Sequence, residues 1–116
     1  MQYDLEDRTK AFSKSVMEAM KEFFRNDINR PLISQLVRSA TSVGANYREA
    51  NGAISRKDFK NIIYICRKEI KETEYWIELL ADSNPGKKDK LRGLWKEANE
   101  LKLIFNKICW SLNKKP

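Results

Sequence analysis

The chain has 116 residues, of which 41% are hydrophobic and 34% charged, and it carries 23 Lys or Arg against 16 Asp or Glu, with no His. This length and apolar fraction predict one soluble domain, 1–116, and exclude a disordered chain. The missing histidine excludes the Ser-His-Asp and Cys-His nucleophile arrangements, zinc sites with His ligands and the usual di-iron bundles. We therefore expect no enzymatic activity, no cofactor and no metal. The net charge of +7 predicts a polyanionic partner.

The sequence shows neither a signal peptide nor a membrane span. Its start is polar and acidic, and its longest apolar run, residues 62–66, is far shorter than the roughly 20 residues that a spanning helix needs. Two cysteines, Cys66 and Cys109, are too few for a disulfide framework in a chain of this length. We expect a cytoplasmic protein with reduced cysteines and no membrane partner.

Four segments with helical periodicity follow one another along the chain. In each segment, apolar residues recur at steps of three and four, as on one face of a helix. With breakers at 29–31, 51–53 and 83–86, the pattern predicts long helices at approximately 4–27, 31–51, 55–82 and 87–112. Ser55, with Asp58 three residues later, is the expected cap of the third helix. Since the connections are short, we predict an all-α, antiparallel up-down-up-down four-helix bundle.

The outward faces of these helices are less polar than a monomeric bundle requires. The second helix carries small residues, such as Thr41 and Ala45, opposite its core face, and Trp76 widens the apolar arc of the third helix. An arc wider than about 100° indicates a second contact surface. We therefore predict self-association.

Glu69 and Glu72 lie within the apolar flank of the third helix. Carboxylates in such a place are paired, protonated or bound to metal. Pairing with Arg38, Arg48 or Lys68, within or between subunits, is the favoured interpretation. A metal site and a general acid–base pair remain alternatives.

The positive charge is concentrated near the end of the sequence. Residues 83–116 hold nine Lys or Arg against three acidic residues, and aromatic residues lie among exposed bases, as in proteins that bind single-stranded nucleic acid. The predicted nucleic-acid-binding residues are Lys87, Lys88, Lys90, Arg92, Lys96, Lys107, Trp110, Tyr64, Lys71 and Tyr75.

Three blocks of the sequence carry a family resemblance: Ser42–Ala50, Ser55–Phe59 and Lys68–Leu80. Together they resemble a bacterial four-helix-bundle family related to the 23S rRNA intervening-sequence proteins and to the accessory protein of diversity-generating retroelements. The residues that match the family blocks or lie on the predicted oligomer interface are Arg38, Thr41, Ala45, Asn46, Tyr47, Arg48, Glu49, Asp58, Glu69, Glu72 and Trp76.

The resemblance implies a four-helix bundle that assembles into a closed homo-oligomer, a pentameric ring. It also implies binding of nucleic acid and of a reverse transcriptase through a basic surface, as in the retroelement accessory protein, and no enzymatic activity. We hypothesise a non-enzymatic, homo-oligomeric accessory protein that binds RNA or DNA, RNA being the expected partner. The alternative is an oligomeric scaffold for a protein partner, such as a reverse transcriptase or another polymerase, without direct contact to nucleic acid.

Overall fold

The structure, a computed structural model, describes residues 4–114 and consists of helices. The four α-helices are α1 (Leu5–Met20), α2 (Asn29–Asn51), α3 (Arg56–Ser83) and α4 (Lys88–Asn113), and a 3₁₀ turn at Pro85–Lys87 precedes α4. The described residues contain no β-strand. The predicted all-α four-helix bundle is confirmed. Within residues 4–114, no helix combines the length and hydropathy that crossing a membrane requires.

The helices form an elongated square bundle, 50 × 22 × 22 Å in extent. Each helix packs against two neighbours in the cyclic order α1, α2, α3, α4, so that the pairs α1–α3 and α2–α4 lie across the diagonals. The α2–α3 contact is the most extensive and the α1–α4 contact is the smallest. The α1–α2 pair therefore lies on the side of the bundle opposite the α3–α4 pair.

The core consists of the apolar stripes that the periodicity predicts. Each helix contributes side chains that are completely inaccessible to solvent. Examples are Val16, Leu36, Ile63 and Phe105. A buried polar contact joins α2 and α3, where the Thr73 hydroxyl lies 2.9 Å from that of Ser39. Removing this apolar surface from water supplies the main driving force for packing the four helices.

Helix α1 is shorter than predicted: it ends at Met20 instead of residue 27. Beyond Met20 the chain turns so that Phe23, only 5% exposed, closes the end of the core. The guanidinium of Arg25 donates to the carbonyl oxygens of Met20 and Phe23 and so satisfies backbone groups that the ended helix leaves free. These tertiary and capping contacts replace the last two turns of the predicted helix.

Helix α2 begins at Asn29, so residues 29–31 form its first turn and are not a break before it. Proline is tolerated there because the first turn of a helix has no partner for its N–H groups. Asn26 supports this start, since its side-chain oxygen accepts from the backbone N–H groups of Ile28 and Asn29.

The predicted bounds of α3 and α4 agree with the structure to within one residue. The Ser55 hydroxyl accepts a 3.0 Å hydrogen bond from the Asp58 N–H, which confirms Ser55 as the cap of α3. With 28 and 26 residues, both helices run most of the 50 Å length of the bundle.

Candidate nucleic-acid interface

The outer face of α3 carries a strip of basic and aromatic residues. They recur mostly at steps of three or four, which places them on one side of the helix. We call this set the α3 stripe: Lys57, Lys60, Tyr64, Arg67, Lys68, Lys71 and Tyr75. At 1.5 Å per residue the stripe is roughly 27 Å long. Within residues 4–114, none of its five cations is in an ion pair with an acidic side chain.

A shallow groove of 610 Å³ lies along this helix face, lined by Tyr64, Arg67, Lys68, Lys71, Glu72 and Tyr75. Glu72 is the acidic member of that lining. Its carboxylate accepts a 2.7 Å hydrogen bond from the Arg38 guanidinium, which offsets part of its charge from the α2 side, and three cations of the lining outnumber it. The groove therefore presents a net positive surface, as binding of a phosphate backbone requires.

The two tyrosines of the stripe differ in the contacts that their side chains make. The hydroxyl of Tyr64 donates to the Asn113 side chain at 2.9 Å, and the Arg67 guanidinium lies 5.1 Å from the Tyr64 ring centroid. Tyr75 is 54% exposed, and its ring contacts Trp76 edge-on, with 5.1 Å between centroids. Tyr75 thus offers a free aromatic face on which a base could stack.

The cluster predicted at the start of α4 is partly neutralised by acidic residues. The ammonium groups of Lys87 and Lys90 both lie beside the carboxylate of Glu22, at 3.9 Å and 2.5 Å. The hydrogen bond from Lys90 holds the pKa of Glu22 below its usual value, so that carboxylate stays ionised. Arg92 is paired with Asp89 at 2.8 Å. Two carboxylates thus face these three cations, which leaves about one net positive charge, against five cations in the α3 stripe.

The other predicted residues of α4 are exposed but far apart. Lys88, Lys96 and Lys107 lie at widely separated positions and are unpaired within the described part of the chain. Trp110 is 61% exposed, and the ammonium of Lys114 lies 4.4 Å from the centroid of its ring. The structure therefore brings Tyr64, Lys71 and Tyr75 together on α3 but separates them from the predicted cations at the start of α4.

Four cations of the stripe were missing from the predicted binding set: Lys57, Lys60, Arg67 and Lys68. The number of charges along the sequence favours the last third of the chain as the binding region. It carries no information on which side of a helix each cation occupies. The same three-and-four spacing that predicts the core would have found them on the opposite face of α3.

The carboxylates of Glu69 and Glu72 are both bound by Arg38 of the same chain, at 3.2 Å and 2.7 Å. This confirms the predicted ion pairing and its first-named partner. Burial lowers the pKa of Arg38, but the hydrogen bonds that Arg38 donates to both carboxylates outweigh that effect and leave its pKa raised. Among residues 4–114, no three Cys, Asp or Glu side chains are grouped as metal ligands would be.

Several residues of the predicted interface set lie on the outer side of α2. Thr41, Ala45 and Arg48 line a 430 Å³ groove between α1 and α2, where Arg48 approaches Glu6 at 3.6 Å. Glu49 is exposed beside them. The small side chains leave this groove accessible from outside.

Of three other members of that set, two pack against the core and one is hydrogen bonded within α2. The ring of Tyr47 contacts Phe105 of the core edge-on, with 6.0 Å between centroids. The side chain of Asn46 donates to the Ser42 carbonyl at 2.8 Å. Trp76 packs against the core, and its buried indole N–H has no partner among the described residues.

Comparison with known proteins identifies the family of this fold. The family model described as 23S rRNA-intervening sequence protein matches residues 2–107. A crystal structure of a protein of unknown function from the S23 ribosomal protein family of Bacteroides thetaiotaomicron is similar, with a TM-score of 0.80 and 31% identity over 91% of this chain and 98% of that one. No curated protein is significantly similar. Neither description names an enzymatic activity. This chain belongs to the 23S rRNA-intervening sequence protein family.

Proposed function

We propose that this protein is a non-enzymatic, self-associating accessory protein that binds single-stranded RNA along the α3 stripe. The observation that carries the proposal is the row of five cations, without acidic partners in the described residues 4–114 and interleaved with two tyrosines, on one helix face. Cations that are not already neutralised can replace the counterions of a phosphate backbone. The length of the stripe fits about four or more nucleotides of an extended strand.

The position of the aromatic rings favours a single strand over a duplex. Tyr75 is half-exposed between the groove and Trp76, where an unpaired base can lie flat against it. In an A-form duplex the bases are stacked on one another, so a surface tyrosine has no base to contact. The proposed selectivity for single strands thus rests on Tyr75, and the affinity rests on the cations.

Self-association would increase the affinity of the α3 stripe for a nucleic-acid strand. Leu103 and Trp110 of α4 and Ile65 of α3 are 56%, 61% and 41% exposed, which is apolar surface that a second copy could cover. An assembly repeats the stripe once per subunit, and a strand that contacts several subunits gains affinity through effective concentration. A pentameric ring is the assembly we propose.

The first test compares two double variants with equal loss of charge. Lys68→Gln with Lys71→Gln removes two unpaired cations, whereas Lys87→Gln with Lys90→Gln removes two cations already engaged by Glu22. We expect the stripe variant to bind a labelled single-stranded RNA more weakly, with a salt slope smaller by about 1.4. The α4 variant should bind nearly as the unaltered protein does. Fluorescence anisotropy across a salt series measures both.

Equal losses in the two variants would contradict a site on the α3 stripe, and a larger loss in the α4 variant would place the RNA on α4. If the unaltered protein does not bind RNA at low salt, the proposal fails. Recovery of a protein partner after nuclease treatment would then favour the scaffold alternative.

Tyr75 gives a separate test of strand selectivity. Tyr75→Leu should weaken binding of the single strand by about 1–3 kcal/mol, while Tyr75→Phe keeps a ring and should bind almost normally. Weak binding of an RNA duplex of the same length should be unchanged in both variants. Equal effects on single strand and duplex would contradict the stacking role of Tyr75.

A further inference from the structure

The connection between α1 and α2 exposes two large apolar side chains at one end of the bundle. Phe24 is 77% exposed and Ile28 is 60% exposed, whereas the adjacent Phe23 is buried. We call Phe24 and Ile28 the apolar knob. Side chains of this size gain free energy when a partner covers them, and rigid aromatic residues are common centres of interfaces.

Side-chain hydrogen bonds fix the backbone that carries the knob. The Phe24 carbonyl accepts from the side chain of Asn29 at 2.8 Å, and Asn26 accepts from the N–H of Ile28 at 3.0 Å. Asn29 also exchanges hydrogen bonds with the side chain of Asn84, at 3.1 Å and 2.9 Å, which ties this connection to the one between α3 and α4. A knob held in this way loses little conformational entropy on binding.

The same end of the molecule carries an apolar pocket on the α3–α4 side. It has a volume of 350 Å³ and is lined by Ile77, Glu78, Ala81, Lys88, Leu91, Arg92 and Trp95. The indole N–H of Trp95 donates to the carboxylate of Glu78 at 3.0 Å, which fixes the ring as one wall. Ligand pockets of comparable size take up an aromatic or branched aliphatic group.

The knob and the pocket are complementary in charge as well as in polarity. Asp27, between Phe24 and Ile28 in sequence, has a fully exposed side chain, and its carboxylate lies 3.7 Å from the Arg30 guanidinium in an exposed ion pair. Lys88 at the pocket has no acidic partner within residues 4–114. Neither Phe24 nor Ile28 lines the pocket of its own chain, and the two features lie on opposite sides of the bundle.

We infer that the apolar knob of one copy inserts into the α3–α4 pocket of a second copy, with Asp27 directed toward Lys88. This inference rests on the self-association in the proposed function and names the contact that produces it. Because the two surfaces differ, the contact is head-to-tail, and its repetition gives a closed ring or an open filament.

Light scattering of nuclease-treated protein tests the contact. We expect Phe24→Ser and the pocket-filling Ala81→Trp each to weaken association by about tenfold or more. Ile54→Ser, which removes an even more exposed apolar residue at the other end of the bundle, should keep the mass of the unaltered oligomer. Mixing the Phe24→Ser and Ala81→Trp proteins should give a two-subunit complex, since each retains the surface that the other lacks.

A charge exchange gives a second test on exposed residues that folding does not require. Asp27→Lys and Lys88→Asp should each weaken association, and the protein with both changes should regain it. A monomeric unaltered protein, a Phe24→Ser protein of unchanged mass, or no recovery in the double variant would overturn the inference. RNA binding by the stripe is measured separately, so its failure leaves this result intact.

Discussion

At the scale of single residues, Arg38 shows how a local charge arrangement decides the role of two carboxylates. Glu69 has only 12% of its side chain exposed, yet it remains compatible with the fold because the Arg38 guanidinium lies 3.2 Å away. Since Arg38 also binds Glu72, the triad is complete within one chain. Carboxylates that bind an arginine in this way stabilise the α2–α3 contact and are poor general bases.

The buried thiol of Cys66 predicts a loss of stability at alkaline pH. Burial raises its pKa from 9.0 to about 12, so the folded protein keeps the proton when the unfolded chain has already lost it. The free energy of unfolding that the protonated Cys66 contributes is therefore fully present below about pH 9 and is lost as the pH rises toward 12. Urea unfolding at neutral pH and near pH 10 should show a smaller alkaline loss for Cys66→Ala than for the unaltered protein. An identical loss in both would contradict this.

At the scale of the helices, two glycines that both lie inside a helix have opposite effects on stability. Gly44 of α2 faces α1, and an added Cβ would lie 3.2 Å from the Thr9 hydroxyl oxygen. That hydroxyl is fixed by hydrogen bonds to the carbonyls of Leu5 and Glu6. Around Gly93 of α4, nothing in residues 4–114 apart from the adjacent backbone of its own helix lies within 4 Å of an added Cβ. Gly44 therefore permits the close approach of α1 and α2, whereas Gly93 only weakens its helix.

Replacing each glycine by alanine should change stability in opposite directions. Gly93→Ala should stabilise the fold by about 0.5–1 kcal/mol, because it removes the low helix propensity of glycine without a clash. Gly44→Ala should destabilise it by about 1 kcal/mol, since overpacking exceeds the gain in propensity. Adding Thr9→Ala should recover part of that loss. Free energies of unfolding from urea titration measure all three, and stabilisation by Gly44→Ala would contradict the packing argument.

At the scale of the whole molecule, the four helices differ in how extensively each packs against the others. α1 is the shortest, with 16 residues against 28 in α3, and its contact with α4 is the smallest in the bundle. A 510 Å³ groove, with Phe12 and Leu94 in its lining, separates α1 from α4. Few buried contacts imply a low free energy of local opening.

Native-state hydrogen exchange should therefore show that α1 opens before the rest of the bundle. We expect the central amides of α1 to exchange with a lower free energy than those of α2 and α3, which share the largest contact. The central amides of α3 serve as the internal reference for global unfolding. Exchange of all four helices at one common free energy would show that the bundle opens as a single unit.

The sequence by itself determined the helices and most of their buried faces. Helical periodicity depends on the local geometry of the chain, so steps of three and four residues placed Val43, Ile70 and Phe105 in the core. The cap at Ser55 was predictable for the same reason, because its partner Asp58 is three residues away. The end of α1 was not predictable from the sequence, because Phe23 turns into the core only when the other helices are present.

Only the tertiary structure decided which cations are available for binding. Glu22 precedes Lys90 by 68 residues, and nothing local in the sequence indicates that they meet. Ion pairing depends on distance in space, and a carboxylate a few ångströms away cancels most of the field of an ammonium group. The binding surface that we propose is therefore the outer face of α3 and not the end of the chain, where most of the net charge lies in the sequence.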